Sequence, residues 1–202
     1  MFSDLRIVVG SAPEYLYSHT KGARFFPELT PGSGESKLAT GKIPILGIRP
    51  TINNGYIKAS DGSLTAIGTA AEPIVFTSAR AEKNAGDWAG LLVYDNSILR
   101  HCVIEYAGGD YTISGYTRAL TLGGTAIIED CLIQESSGTG MEISGGSATI
   151  RNNIIKNCAD MGIEIGIQYH QIVDASNTME NTGGFDITGG GGLNTDVTLT
   201  KR

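Results

Sequence analysis

ALTLGGTAIIEDCLIQESSGTG (Ala119–Gly140), MEISGGSATIRNNIIKNCADMG (Met141–Gly162) and IEIGIQYHQIVDASNTMENTGG (Ile163–Gly184) are three consecutive blocks of 22 residues that align without a gap. A partial block, FDITGGGGLNTDVTLTKR, follows from Phe185. Upstream, GLLVYDNSILRHCVIE, starting at Gly90, aligns with ALTLGGTAIIEDCLIQ over sixteen positions. It then carries seven extra residues, because Gly90 to Ala119 is 29 and 29 − 22 = 7.

The columns of this alignment carry physical content. One reads Leu99, Ile128, Ile150, Ile172, and another Ile104, Ile133, Ile155. A third reads Ala119, Met141, Ile163, Phe185, with Thr121, Ile143, Ile165, Ile187 two residues on. The residues between are largely polar, which is the period-two alternation of short half-buried strands. The column Gly140, Gly162, Gly184 marks a recurring corner. Helical solenoids repeat at longer periods and with a period of 3.6 residues. A unit of 22 with two or three short strands fits one coil of a parallel β-helix, each coil stacked on the last at about 4.8 Å. The column Arg100, Glu129, Arg151 alternates in charge, as stacked neighbours favour.

Composition agrees. Glycine is 28 of 202 residues, about double average usage, and proline only 6. The net charge of −6 argues against nucleic acid as a partner. No apolar run is long enough for a membrane span. Cys102, Cys131 and Cys158 are too few for a disulfide framework, and with the scattered His19, His101 and His170 they form no zinc-ligand spacing. The N-terminal stretch MFSDLRIVVGSAPEYLY lacks the basic start and apolar run of a signal peptide.

GSLTAIGTAAEPIVFTSA (62–79), GDWAGLLV (86–93) and SILRHCVIEYAGG (97–109) resemble a widespread bacterial group of right-handed parallel β-helix proteins with the pectate-lyase-like fold. The group's members often read G-x-L-x-A-x-G-T … P-I-x-F-T-S, then W-x-G-I, then I-E-Y-x-G. The resemblance covers 56–188. It implies an all-β, right-handed solenoid of five to six coils over 56–202, with 1–55 as an N-terminal cap or lead-in, since a solenoid must cover its open end. It also implies a secreted or cell-surface setting. Similar folds serve polysaccharide lyases, sugar hydrolases, epimerases, phage tailspikes, adhesins and surface modules. In them the outer face of the first sheet holds the polysaccharide groove and calcium. Trp88 matches the group's W-x-G, which implies packing rather than a sugar platform.

Two features carry candidate chemistry. The alignment places Leu91, Leu120, Glu142, Glu164 and Asp186 in one outward column, with no basic residue in it. Arg118 falls in the column of Gly140, Gly162 and Gly184. Like charges about 4.8 Å apart repel. A bound cation such as calcium, a shared proton or a sugar held by hydrogen bonds would offset that repulsion. Three solvated acids that keep a face soluble are the plainer reading. The second feature is the insertion EYAGGDYTISGYTR (105–118), whose Tyr106, Tyr111 and Tyr116 could stack on sugar rings beside Asp110 and Arg118. Alternatively, it folds down over Leu91, Val93, Leu120 and Leu122, which on this alignment form an apolar outer patch that the loop or residues 1–55 must cover.

The functional expectation is a non-catalytic surface or extracellular module that binds a polysaccharide or cell-surface glycan through Glu142, Glu164, Asp186, Tyr106, Tyr111, Tyr116 and Arg118. The alternatives are a polysaccharide-active enzyme of lyase or epimerase type in the same groove, or a structural spacer. A lyase needs a base for the sugar's α-proton, and Arg118 is the only candidate beside these strands. A hydrolase needs two carboxylates with separated pKa values across the bond, and no acid opposes Glu142 and Glu164.

Overall fold

The computed structural model describes residues 63–78, 80, 82–109 and 117–188, together with the backbone alone of strands at 5–9, 15–17, 35–38 and 56–58 and of residues 171–172. The chain forms the expected parallel β-helix, with three sheets wound around one core. The first sheet runs Tyr56–Lys58, Gly90–Val93, Arg118–Leu122, Thr139–Ile143, Ile163–Gly166, Phe185–Thr188. The second runs Glu35–Leu38, Ser63–Ile67, Ile98–Arg100, Ile127–Glu129, Thr149–Arg151. The third runs Ile74–Ser78, Cys102–Glu105, Leu132–Ser136, Ile154–Cys158, Thr178–Glu180. Leu5–Val9 joins the edge of the third sheet antiparallel to Ile74–Ser78, with Tyr15–Tyr17 beside it. The reading of 1–55 as a cap otherwise lies outside the described residues.

The core is a set of ladders. Leu99, Ile128 and Ile150 stack in register, as do Ile104, Ile133 and Ile155, and all six are fully buried. Each such side chain contributes about 1.5–3 kcal/mol. The first ladder ends on Val173, not Ile172 as the repeat predicts, because the chain winds into a 3-10 helix over Ile167–Ile172.

The corner between the second and third sheets turns on a single residue in the left-handed conformation: His101 (φ 48°), Asp130 (55°) and Asn152 (55°). Just inside it, four side chains repeat one interaction. The Cys102 and Cys131 thiols donate to the Ala66 and Leu99 carbonyls of the preceding coil. Asn153 and Asn177 do the same to Ile128 and Ile150, at 2.9 and 2.8 Å. The cysteines thus hold the places that asparagines hold further along. All three cysteines are free thiols. A hydrogen bond with Cys131, then burial, push the Cys102 thiol far up, so it stays protonated.

One alignment expectation fails by a single residue. Leu120, not Ala119, pairs with Met141, and Leu122 pairs with Ile143. The inward ladders are Leu91, Leu120, Met141, Ile163, Phe185 and Val93, Leu122, Ile143, Ile165, Ile187. Leu91, Val93, Leu120 and Leu122 are therefore core, each 0% exposed, and not an outer patch awaiting a cover. Along the second sheet the offset is still 22, since Ile128 pairs with Ile150. The difference is absorbed in the turn between, which in the later coil holds Gly145 as an extra residue at φ 150°, open to glycine far more than to other residues. A one-residue slip in a period-two pattern exchanges the two faces of a strand.

Candidate functional site

With the register corrected, the outward column of the first sheet reads Lys58, Leu92, Thr121, Glu142, Glu164, Asp186. The three acids do stack in register, but Leu91 and Leu120 leave the column, and Leu92 and Thr121 replace them. Thr121 matters chemically, because its hydroxyl donates to Glu142 Oε2 at 3.3 Å.

The expectation of a column without a base fails twice: Lys58 stands in the column, at its N-terminal end, and Arg118 reaches the acids from beside it. Arg118 pairs with Thr139 rather than standing in the glycine column, whose earlier member is Ala119. From there its side chain reaches the acids of the next two coils. Its Nε lies 2.8 Å from Glu142 Oε2, and its Nη2 donates to Glu164 Oε2 at 3.0 Å. The guanidinium is 12% exposed, the two carboxylates 25% and 23%, so the fork is shielded but open to solvent on one side. Charge repulsion between these neighbours is thus answered by a protein cation. Among the described residues no group of three His, Cys, Asp or Glu side chains is arranged to hold a metal ion.

Burial raises the Glu142 carboxyl above its ordinary value, Arg118 pulls it down, Glu164 pushes it up and the Thr121 hydrogen bond lowers it. Burial is the larger cause, ahead of the neighbouring acid, so the stacking repulsion expected from sequence is the lesser effect. Over the three acidic rungs, three carboxylates face one guanidinium, which leaves that end of the column electronegative, with Lys58 three rungs before Glu142.

The tyrosines separate. Tyr106 stands at the corner leaving the third sheet, at φ 60°, an uncommon conformation for a bulky residue. Lys83 Nζ lies 5.6 Å from its ring centroid. Partial burial, then the Glu105 and Glu135 charges, raise its phenol. Glu135, Asn157 and Asn181 occupy the equivalent corner in later coils, at 54°, 52° and 51°, so Tyr106 belongs to a structural column. Tyr111 and Tyr116, with Asp110, lie outside the described residues, and the expected cover by the insertion lies outside them too. Trp88 is fully buried, and its Nε1 donates to the Glu105 carbonyl at 2.9 Å, a packing role. The sequence alignment placed Thr121 in the inward column of Ile143, Ile165 and Ile187; the pairing instead puts it beside Glu142, where it continues the acid column toward the N-terminal end.

Comparison with known proteins bears on the fold. A family model described as right handed beta helix region matches residues 89–201, and one described as pectate-lyase like beta helix domain matches 45–99. No curated protein and no solved structure gives a significant match.

Proposed function

Since the chain belongs to the right-handed β-helix family, of pectate-lyase-like architecture, we propose that it is a non-catalytic surface or extracellular module that binds a neutral glycan along the outer face of its first sheet. The observation that carries this reading is the fork of Arg118 on Glu142 and Glu164. A carboxylate accepts hydrogen bonds from neighbouring hydroxyls, and a guanidinium donates to ring or hydroxyl oxygens. Held together on a flat sheet, they offer fixed donors and acceptors at the rung spacing of about 4.8 Å, a scale at which one sugar unit can meet each rung. The excess of negative charge disfavours uronate polymers, which would bring like charge to like. Calcium enters this reading only as a bridge that an acidic ligand would need.

Binding stands ahead of catalysis for a chemical reason. A lyase or epimerase in this groove would use Arg118 as its base, but that guanidinium is already committed to Glu142 and Glu164 and is not free to meet a sugar's α-proton. The raised Glu142 carboxyl beside Glu164 favours a second reading, acid-assisted cleavage, which release of reducing ends from the bound glycan would reveal.

Isothermal titration with neutral hexo-oligosaccharides and with oligogalacturonides tests the proposal. Neutral chains should bind, uronates should bind more weakly at low ionic strength, and Glu164→Gln should weaken neutral binding about tenfold, the scale of one charge-assisted hydrogen bond. Absence of binding to every chain, or equal affinity in the variant, would sink it.

A further inference from the structure

We propose that Tyr94 and Tyr169 form an aromatic rim beside the acid column, a stacking subsite for the apolar face of a neutral hexopyranose. The inference rests on the glycan reading above and names the part of the sugar that the polar cluster leaves unserved.

Period two extends the outward face from Leu92, Thr121, Glu142 and Glu164 to Tyr94, Gly123, Ser144 and Gly166. The backbone pairing continues there, with Gly123 N donating to Val93 O at 3.1 Å and Ser144 N to Leu122 O at 2.9 Å. Two residues along a strand span about 7 Å, enough for one sugar ring between the two columns. Tyr94 lies along the axis onto the next coil, since a Cβ on Gly123 would stand 3.2 Å from its Cδ1.

Tyr169 arrives by a different route. The repeat breaks twice in its neighbourhood, once where the 3-10 helix Ile167–Ile172 replaces a strand and once at the extra residue Gly145. The two breaks meet. A Cβ on Gly145 would stand 3.3 Å from the Tyr169 hydroxyl oxygen. Tyr94 therefore lies against one coil and Tyr169 against the next, at the same corner of the first sheet, and both are only partly buried. A pyranose has an apolar face of C–H groups and an edge of hydroxyls. Aromatic rings serve the first, and Arg118, Glu142 and Glu164 the second. A bare cation has no use for the rim; a uronate ring can stack on it, and is disfavoured by the charge of the acid column rather than by the rim.

Packing is the competing role for these rings, Tyr94 on Gly123 and Tyr169 on Gly145 and the edge of the hydrophobic core, and it predicts lost stability without lost affinity. Titration with hexaoses of β-1,4-linked glucose, mannose and galactose, alongside melting of each variant, separates the two. Tyr94→Leu and Tyr169→Leu should each weaken binding about tenfold, while Tyr94→Phe and Tyr169→Phe, which keep the ring, should stay close to the parent. Should a Leu variant not fold, nitration of the parent protein with tetranitromethane replaces it, and bound hexaose should protect both tyrosines. Leu variants that melt lower but bind as the parent does, or tyrosines nitrated equally with and without sugar, overturn the rim and leave the Arg118 cluster standing. A parent that binds none of the hexaoses overturns both.

Discussion

Two outer columns of stacked charge stand on neighbouring sheets and resolve the same problem differently. On the second sheet, Arg100, Glu129 and Arg151 alternate in sign, and Glu129 is only 6% exposed. Its two oxygens take one guanidinium each, both at 2.7 Å. On the first sheet, Glu142, Glu164 and Asp186 share a sign, and their cation comes from Arg118 at the strand's start. The alternating column is closed, because its carboxylate oxygens are already held. The like-charged column retains carboxylate capacity facing solvent. Two runs of three stacked charges at the same spacing thus differ in what they leave available, and that difference is why we place binding on the first sheet.

The comparison breaks most easily at its register. Leu120→Ala should cost about 3 kcal/mol, the range for a large aliphatic removed from a packed core. Thr121→Ala, one residue away, should cost less than about 1 kcal/mol. Urea unfolding of both checks it. Similar costs, or the reverse order, would put Thr121 inside and remove it from the acid column.

The contrast between the columns sharpens with isosteric amides. Glu129→Gln should cost about 1–2 kcal/mol, since two charge-assisted hydrogen bonds weaken, with a discount for arginines that are 39% and 55% exposed. Glu164→Gln loses one such bond but relieves its repulsion with Glu142, so it should change stability by less than about 0.5 kcal/mol while lowering glycan affinity. If Glu164→Gln destabilises as much as Glu129→Gln, the first-sheet column is as structural as the second.

A smaller effect is set by pH. The folded-state value for Glu142 is raised above its ordinary 4.5, so the folded chain holds that proton more tightly than the unfolded chain does. Stability from this group is present below about 4.5 and is lost as pH rises through the folded value. Arg118→Ala removes the cause that pulls the value down, so the loss grows. The variant should match the parent near pH 4 and fall behind by about 1 kcal/mol at pH 8. A deficit independent of pH would mean that Arg118 acts through packing alone.

Much of this was legible in the sequence because a solenoid writes its tertiary contacts as a period. Ile128 and Ile150 meet because they are 22 apart, and Glu142, Glu164 and Asp186 stack for the same reason. The ladder of isoleucines, the alternating Arg100–Glu129–Arg151 column and the buried Trp88 were all accessible from pattern and motif. Where the period held, the sequence alone determined which residues are neighbours.

Tertiary structure decided what the period does not encode. The turn holding Gly145 adds one residue without changing the repeat of the second sheet, so gapless alignment misassigned Ala119, Leu120 and Thr121 to opposite faces. Reach was equally invisible: Arg118 belongs to no acid column in sequence, yet a long side chain at a corner spans two coils and meets Glu142 and Glu164. Tyr94 and Tyr169 are 75 residues apart in the chain and sit over adjacent coils only because a 3-10 helix breaks the repeat. Backbone pairing is local and repeats with the coil. Side-chain length, single-residue insertions and corner conformation act across coils, and only the folded chain brings them to one face.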